Sequence, residues 1–266
     1  MFFSIGDATY WYEVHGEGKP LVLLHGFTGS SETWQSFVSI WKQHWQVITV
    51  DLPGHGKTTA NHKSMEACCS DLVSLLKYLN LEPVHLLGYS MGGRTAIAFA
   101  MNYPEAVKSL ILESTSPGLA DPIERKQRKQ ADNKLATNLE QRGMDWFVPY
   151  WENIPLFITQ QQLPVSVQDR IRKERMSHSA SGLADSLRFM GTGVQASYWD
   201  KLTQFDKPVF LLMGGLDQKY CEIMGKMERI LPHAQQTIVS EAGHAIHVEK
   251  PNIFGKIVTG CLKGLY

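Results

Sequence analysis

The stretch HLLGYSMGGRTAIAFA, residues 85–100, constrains the fold of this chain more than any other part of its sequence. An apolar run reaches Gly88, passes through the pattern G-x-S-x-G and continues into a segment rich in alanine and glycine that reads as a helix. A serine on a sharp turn between a strand and a helix forms the arrangement known as a nucleophile elbow. Glycines are needed there because the turn is tight and the helix packs close to the strand. We therefore predict that Ser90 is a catalytic residue at the tip of a sheet.

Short apolar runs elsewhere in the chain predict further buried, parallel strands. These runs, some of which include the loop that follows the strand, lie at 20–26, 46–56, 82–88, 106–115, 206–217 and 234–244. Helical patterns lie between them, at 30–41, 64–79 with Ser64 as a candidate N-cap, 91–102, 219–231 and from about 251. The alternation predicts an α/β architecture in which helices flank a mostly parallel sheet.

The character of the sequence changes between residues 118 and 196. This segment has no apolar strand runs, is rich in Gln, Lys and Arg, and shows helical patterns at 121–142 and 166–176. The simplest interpretation is one α/β core formed by residues 1–117 and 197–266, with residues 118–196 inserted as a helical lid.

The charge balance and the hydropathy pattern exclude several classes of partner. The 26 Lys and Arg residues are offset by 26 Asp and Glu residues, so no electrostatic binding of nucleic acid is predicted. No apolar run is long enough to insert into a membrane, and the N-terminus lacks the pattern of a signal peptide. The four cysteines, none in a CxxC pair, are typical of buried thiols in a reducing compartment. We expect a cytoplasmic protein with a small-molecule ligand.

A catalytic serine needs a base, and two later loops offer partners for it. Asp217 follows the predicted strand at 206–217, and His244 follows the next one. Both lie at carboxyl ends of strands, where open α/β sheets place their sites. The chain order Ser, Asp, His is that of the fold in which nucleophile elbows occur. His247, three residues after His244, is the alternative base.

Arg94 lies four residues after Ser90, so on a helix the two share one face, one turn apart. A buried guanidinium without a partner is costly, so Arg94 requires either a protein carboxylate or an anionic ligand. Seven of the nine arginines lie in the 118–196 segment. Because arginine suits a two-pronged grip on a carboxylate, this bias favours a ligand with several carboxylates.

The chain resembles enzymes of the α/β-hydrolase fold over nearly its full length. It also resembles one narrower family, the 2-succinyl-6-hydroxy-2,4-cyclohexadiene-1-carboxylate synthases of menaquinone (vitamin K2) biosynthesis. The matching phrases are LLHGFTGSSETW (23–34), VDLPGHGKT (50–58), GYSMGGR (88–94), ERKQRKQAD (124–132), PLF (155–157), GLADSLRFMGTG (182–193) and GLDQKY (215–220).

This resemblance implies a reaction and a set of site residues. The reaction is the elimination of pyruvate from a tricarboxylate, with Ser90, His244 and Asp217 as the base and with no metal or organic cofactor. The oxyanion hole consists of the backbone N–H groups of Phe27 and Met91. The implied substrate-binding residues are Arg94, Arg128, Arg175, Tyr89 and Trp151, with Arg125 as the alternative to Arg128 and Arg188 as a further possible contact.

Two other functions remain open at the level of sequence. A serine hydrolase, either a carboxylesterase or a carbon–carbon bond hydrolase, would use the same three catalytic residues. A non-catalytic receptor for a small ligand could also keep all three. Only the arginines and the phrases of the 118–196 segment separate these alternatives from the elimination.

Overall fold

An eight-stranded sheet lies at the centre of this computed structural model, which describes residues 1–81 and 83–265. The strands are β1 Phe2–Ile5, β2 Ala8–His15, β3 Lys19–Leu24, β4 Trp45–Val50, β5 Val84–Tyr89, β6 Val107–Glu113, β7 Val209–Gly214 and β8 Ala234–Val239. Their order across the sheet is β1-β2-β4-β3-β5-β6-β7-β8. The pairs β1–β2 and β2–β4 are antiparallel, and the other neighbours are parallel.

The predicted fold class is confirmed, and each of the six predicted runs contains one parallel strand. Glu82, the first residue of the predicted 82–88 run, lies outside the described residues. No strand is predicted before residue 20, whereas the structure forms β1 and β2 there. In β2 every second residue from Ala8 to Tyr12 is buried, so its apolar side chains alternate with more exposed ones. This half-buried alternation, in an antiparallel strand next to the edge strand β1, differs from the continuous apolar runs of central parallel strands.

Ten α-helices connect or flank the described strands. They are α1 Gln35–Trp41, α2 Met65–Leu79, α3 Met91–Asn102, α4 Pro122–Arg142, α5 Met144–Glu152, α6 Val165–Met176, α7 Ala180–Met190, α8 Gln218–Ile230, α9 Ile246–Glu249 and α10 Pro251–Lys263. Short 3-10 helices cover Ser31–Trp34, Pro104–Ala106, Pro155–Gln162 and Trp199–Gln204. The predicted N-cap is present, because the Ser64 side chain accepts a hydrogen bond from the backbone N–H of Ala67.

Helices cover both faces of the sheet and create two apolar cores. One core packs α2, α3 and α8 against the sheet, and the other packs α1 and α10 against the opposite face. Helices α4 to α7 lie between β6 and β7 in the chain, and α4, α5 and α7 share a third apolar cluster. Across the described residues we find no helix that is both long and apolar enough to cross a membrane.

Helix α3 begins directly after β5 and passes very close to the neighbouring strands. A Cβ atom on Gly92 would overlap the carbonyl oxygen of Leu24 at the end of β3, and one on Gly88 would overlap that of Gly92. A Cβ atom on Gly93 would lie 2.6 Å from the Cβ of Thr115. The glycines of the G-x-S-x-G stretch therefore allow a backbone-to-backbone approach that any side chain would prevent.

We predict that Gly92→Ala lowers the free energy of unfolding by about 3 kcal/mol, because the strand and the helix must separate to accept the methyl group. Gly255→Ala in α10 is the matched control, since its Cβ would lie 3.6 Å from the Phe37 ring, an ordinary contact. That control should gain up to about 1 kcal/mol from its higher helix propensity. Urea unfolding measures both changes, and equal stability of the two variants would contradict the prediction.

Candidate active site

Ser90 occupies a strained backbone conformation at the tip of β5. Its φ is 50° and its ψ is −105°, a region that residues other than glycine rarely adopt. Such a conformation costs on the order of 1–3 kcal/mol and persists only where neighbouring groups hold it. Here the Ser90 N–H donates to the Glu113 carbonyl at 2.9 Å, and the Thr115 hydroxyl donates to the Ser90 carbonyl at 2.8 Å. The end of β6 thus holds the serine in place.

Ser90, His244 and Asp217 form a continuous hydrogen-bonded chain. The distance from His244 Nε2 to Ser90 Oγ is 3.0 Å, and the distance from His244 Nδ1 to Asp217 Oδ2 is 2.6 Å. Because Nδ1–H donates to a carboxylate, the Nε2 lone pair faces the serine and can accept its proton. The three residues follow β5, β7 and β8, whose carboxyl ends meet at one edge of the sheet. The arrangement can activate Ser90 either as a nucleophile or as a base.

His247, the alternative base, lies in a different environment. Its Nδ1 is 2.8 Å from Glu113 Oε2, and its backbone N–H donates to Glu113 Oε1. Both side chains are buried below Tyr89, whose ring centroid lies 4.5 Å from that of His247. His247 is therefore engaged in an interior pair with Glu113, and His244 is the histidine in contact with Ser90.

A cavity of about 350 Å³ opens beside Ser90, and we call it the central cavity. Its lining residues are Phe27, Tyr89, Ser90, Met91, Arg94, Arg128, Trp151, Ile154, Pro155, Leu156, Phe157, Ser186, Leu187, Gly191, Thr192, Lys219 and Tyr220. Within the described chain, this lining includes three cationic side chains and neither an aspartate nor a glutamate. The cavity is therefore suited to an anionic ligand.

Arg94 is buried in the wall of the central cavity, and none of the described carboxylates pairs with it. Its Nη1 donates to the Met190 carbonyl at 2.8 Å and to the Gln195 side-chain oxygen. No ion pair or further hydrogen bond of this guanidinium exists within residues 1–81 and 83–265, so Nε and Nη2 keep their N–H groups available. Burial, followed by the nearby charge of Arg128, lowers the pKa of Arg94 to about 10, which still leaves it charged at neutral pH.

The structure separates the two candidate arginines of α4. Arg128 lines the central cavity, and its Nε donates to Asp132 Oδ1 at 2.8 Å. Arg125, one helical turn earlier, does not line this cavity, and its Nη2 donates to the Gln195 carbonyl at 3.0 Å. Of these two arginines, Arg128 is therefore the one that faces the central cavity.

Arg175 lies outside the central cavity. It lines a neighbouring cavity of about 50 Å³ that shares Phe27, Tyr89 and Phe157 with the central one. Its Nη2 donates to the Gln160 side-chain oxygen at 3.1 Å. Burial lowers the pKa of this guanidinium.

The remaining sequence-based candidates also divide by position. Tyr89 and Trp151 both line the central cavity, and the Trp151 ring packs edge-on against Phe27 at 5.3 Å. Arg188 forms a surface ion pair with Glu140 and does not line this cavity.

Lys219 and Tyr220 line the central cavity but were not among the predicted site residues. They follow Asp217 at the start of α8, and the Tyr220 N–H donates to Asp217 Oδ1 at 3.3 Å. The sequence GLDQKY indicates their position, because residues in the first helical turn after Asp217 must lie close to Asp217 itself.

The loop that carries Phe27 is surrounded by three buried histidines. His25 donates from Nδ1 to the Gly26 carbonyl at 2.8 Å, and His55 accepts from the Thr28 N–H at 3.2 Å. His178, from the turn between α6 and α7, donates from Nε2 to the Thr28 carbonyl at 3.0 Å. Burial lowers the pKa of each below the ordinary 6.5, to about 4 for His178. The loop is thus held by neutral imidazoles.

We predict that the free energy of unfolding falls as the pH drops below about 6.5, because burial lowers the pKa of all three histidines in the folded chain. For His178 this loss runs from about pH 6.5 to about 4, at about 1.4 kcal/mol per pH unit. In that range the unfolded chain binds protons that the folded chain does not, whereas above it both forms are neutral. The replacement His178→Gln should therefore reduce the slope of the unfolding free energy against pH by up to about 1.4 kcal/mol per pH unit, which corresponds to one bound proton. Urea unfolding at a series of pH values measures it, and an unchanged slope would show that His178 titrates normally when folded.

Comparison with known proteins agrees with this architecture. Residues 19–251 match the family model described as alpha/beta hydrolase fold. A Bacillus subtilis protein with the provisional name 2-succinyl-6-hydroxy-2,4-cyclohexadiene-1-carboxylate synthase is 45% identical over 262 residues, which cover 96% of this chain and 95% of that protein. The structure of MenH from S. aureus is similar with a TM-score of 0.92 and 34% identity, covering 96% of this chain and 98% of that one.

A thermophilic esterase from Thermogutta terrifontis, solved with malate bound, is also similar, with a TM-score of 0.87 and 26% identity over 97% of this chain and 94% of that one. The chain therefore belongs to the alpha/beta hydrolase family and, within it, to the 2-succinyl-6-hydroxy-2,4-cyclohexadiene-1-carboxylate synthases, which are lyases built on this fold.

Proposed function

We propose that this enzyme eliminates pyruvate from 2-succinyl-5-enolpyruvyl-6-hydroxy-3-cyclohexene-1-carboxylate, giving 2-succinyl-6-hydroxy-2,4-cyclohexadiene-1-carboxylate. The observation that carries the proposal is Arg94, a buried charged group with free N–H donors in the wall of the cavity that Ser90 also lines. Arg128 and Lys219 add two more cations to that wall. The relatives that bear the name of this product match the chain over nearly its whole length.

The substrate fits the charge of the cavity. It carries a succinyl, a ring and an enolpyruvyl carboxylate, and the central cavity presents three cations without a lining carboxylate in the described chain. Hydrogen bonds between a guanidinium and a carboxylate are among the stronger ones in proteins and fix the orientation of the bound group. Arg175 lines the neighbouring cavity, which shares several lining residues with the central one. It is a further candidate for binding a carboxylate at one end of the substrate.

Ser90 and His244 act as the base in this reaction. The ring carbon that bears the succinyl group carries an acidic hydrogen, because the adjacent ketone can accept the electrons released. Ser90 Oγ takes this proton as its own proton moves to His244 Nε2, 3.0 Å away. Asp217 stabilises the imidazolium through the 2.6 Å bond to Nδ1. A new double bond then forms at the deprotonated ring carbon, the existing ring double bond shifts by one position, and the bond between ring carbon and enolpyruvyl oxygen breaks. The leaving group departs as the enolate of pyruvate and takes up one proton on its CH2 carbon, which balances the proton removed from the ring.

The charge that develops on the ketone oxygen requires hydrogen-bond donors. The backbone N–H groups of Phe27 and Met91 are the candidates, since both residues line the central cavity beside Ser90. Preorganised donors of this kind are worth about 3 kcal/mol each to the transition state. No covalent acyl-enzyme is needed, because the oxyanion is an enolate and not a tetrahedral adduct.

Residues 118–196 act as a lid in this proposal. They supply Arg128, Trp151, Leu187 and other members of the cavity wall. The sheet domain, which comprises residues 1–117 and 197–266, supplies Ser90 and Arg94. Their apolar cluster packs against Phe27, next to the expected oxyanion hole. Water is therefore kept from the bound substrate, which strengthens its charged contacts.

We predict that Ser90→Ala, Asp217→Asn and His244→Ala each lower kcat for pyruvate release by about 10³-fold or more, as groups acting in one relay do. The assay follows pyruvate formation from freshly prepared substrate above its spontaneous decay, beside a panel of p-nitrophenyl esters. Rapid ester cleavage with no acceleration of pyruvate release would identify a serine hydrolase instead. Ligand-induced thermal stabilisation without any turnover would identify a receptor.

We predict that Arg94→Gln lowers kcat/KM for the tricarboxylate about 10- to 100-fold, the cost of one charge-assisted hydrogen bond to the substrate. Arg125→Gln is the matched control, because Arg125 lies on α4 outside the central cavity and donates to a backbone carbonyl. It should stay within about threefold of the wild type, a change below 1 kcal/mol. Thermal unfolding of both variants separates a lost substrate contact from a lost fold, and equal kcat/KM in both would contradict the role of Arg94.

A further inference from the structure

His178 is one of the side chains through which the 118–196 segment contacts the loop after β3. This residue lies in the turn between α6 and α7, is 5% exposed, and forms two hydrogen bonds to the sheet domain. Its Nε2 donates to the Thr28 carbonyl at 3.0 Å, and its Nδ1 accepts from the Gly56 N–H at 3.2 Å. A backbone N–H can only donate and a carbonyl can only accept. Nδ1 of His178 therefore carries the lone pair and Nε2 carries the proton, which defines one neutral tautomer.

Three successive peptide groups of this loop are each held by a different histidine. His25 holds the carbonyl of Gly26, His55 holds the N–H of Thr28, and His178 holds the carbonyl of Thr28. A planar trans peptide directs its C=O and N–H to opposite sides. The bond from His25 to the Gly26 carbonyl therefore aims the Phe27 N–H, the candidate oxyanion donor, away from His25.

The third histidine acts where the loop is under strain. Thr28 has a φ of 69°, in the left-handed region that residues other than glycine seldom adopt. A residue in that region persists only where its surroundings hold it. The contacts from His55 on one side of Thr28 and His178 on the other hold it there. The Thr28 carbonyl shares its peptide with the Gly29 N–H, which donates to the Gly26 carbonyl at 3.0 Å. Release of His178 would therefore loosen one of the two contacts, from His25 and from Gly29, that orient the peptide containing the Phe27 N–H.

A second contact keeps the same end of α6 against this loop. Glu174 Oε1 accepts hydrogen bonds from the Ser30 N–H at 3.0 Å, the Ser30 hydroxyl at 2.9 Å and the Thr33 hydroxyl at 2.7 Å. His178 is thus held near Thr28 by a neighbouring anchor. Its ring also meets that of His55, at a centroid distance of 5.4 Å.

We propose that His178 is a positioning residue through which the 118–196 segment sets the orientation of the Phe27 N–H in the oxyanion hole. The catalytic part of this inference rests on the proposed function. Its structural part, the Nε2–H tautomer and the bond to Thr28, does not. The arrangement makes the oxyanion hole depend on docking of the α6–α7 turn, although that turn contributes no group to the reaction.

Steady-state kinetics of two His178 variants test the catalytic part. His178→Phe keeps a ring but loses both hydrogen bonds, and we expect kcat to fall about 10- to 100-fold with KM within about threefold, since a weakened oxyanion donor acts mainly on the transition state. His178→Gln can still donate to Thr28 and should recover most of that loss. A His178→Phe enzyme with unchanged kcat, or a Gln variant as impaired as the Phe variant, would overturn the inference.

Asp185→Asn provides the matched control. Asp185 on α7 pairs with His62 of the sheet domain at 3.5 Å, so it also joins the two parts of the chain but does not contact residues 26–28. This variant should keep kcat within about twofold, a change below 1 kcal/mol. A loss of kcat equal to that of His178→Phe would attribute the effect to general loosening of the segment and overturn the inference.

Two readouts separate this inference from the proposed function. The rate of Ser90 labelling by a fluorophosphonate depends on the oxyanion hole but not on the natural substrate, and it should fall in His178→Phe even if the wild type releases no pyruvate. Nitrogen NMR of the folded wild type should show His178 as the neutral Nε2–H tautomer at neutral pH. The Nδ1–H tautomer, or labelling of His178→Phe at the wild-type rate, would overturn the inference whatever the natural reaction is.

Discussion

The approach of α3 to the ends of β3, β5 and β6 is the constraint on which the rest of the site depends. It requires glycine at positions 88, 92 and 93, and it forces Ser90 into a backbone conformation that β6 has to hold. This geometry brings the serine hydroxyl to the edge where the loops after β7 and β8 deliver Asp217 and His244. The same helix, one turn later, brings Arg94 into the wall of the central cavity.

The partners of Arg94 explain how its charge stays available to a ligand. Carbonyl and amide oxygens hold its Nη1, so the side chain is oriented without being neutralised. A carboxylate in the same place would compete with the carboxylates of a substrate. The cost of keeping the unpaired charge buried is visible in the lowered pKa, and an anionic substrate would remove that cost. Glu113, in contrast, is a buried carboxylate that is paired within the protein. It holds His247, so that His244 is the histidine in contact with Ser90.

Local patterns were sufficient to predict most of the fold. Central parallel strands are buried on both faces, so their apolar runs stand out in the sequence, and Ser64 caps α2 through purely local contacts. Strands β1 and β2, at the edge of the sheet, lack continuous apolar runs and were missed. Helices α5 and α7 were not predicted either, because their local helix signals are weak: α5 contains Pro149, and α7 begins with Ala180, Ser181 and Gly182.

The sequence by itself determined the elbow, the order of Ser90, Asp217 and His244, and a bias towards arginine that indicated an anionic ligand. Only the tertiary structure decided which charged groups share a cavity with Ser90. Arg128 and Lys219 lie in the wall of the central cavity, Arg125 lies outside it, and Arg175 lines the neighbouring cavity. The physical reason is that the elbow and its partner loops are set by short-range backbone geometry and strand order. The surroundings of an arginine depend on how helices that are far apart in sequence pack together, and the spacing of residues along one helix does not predict that packing.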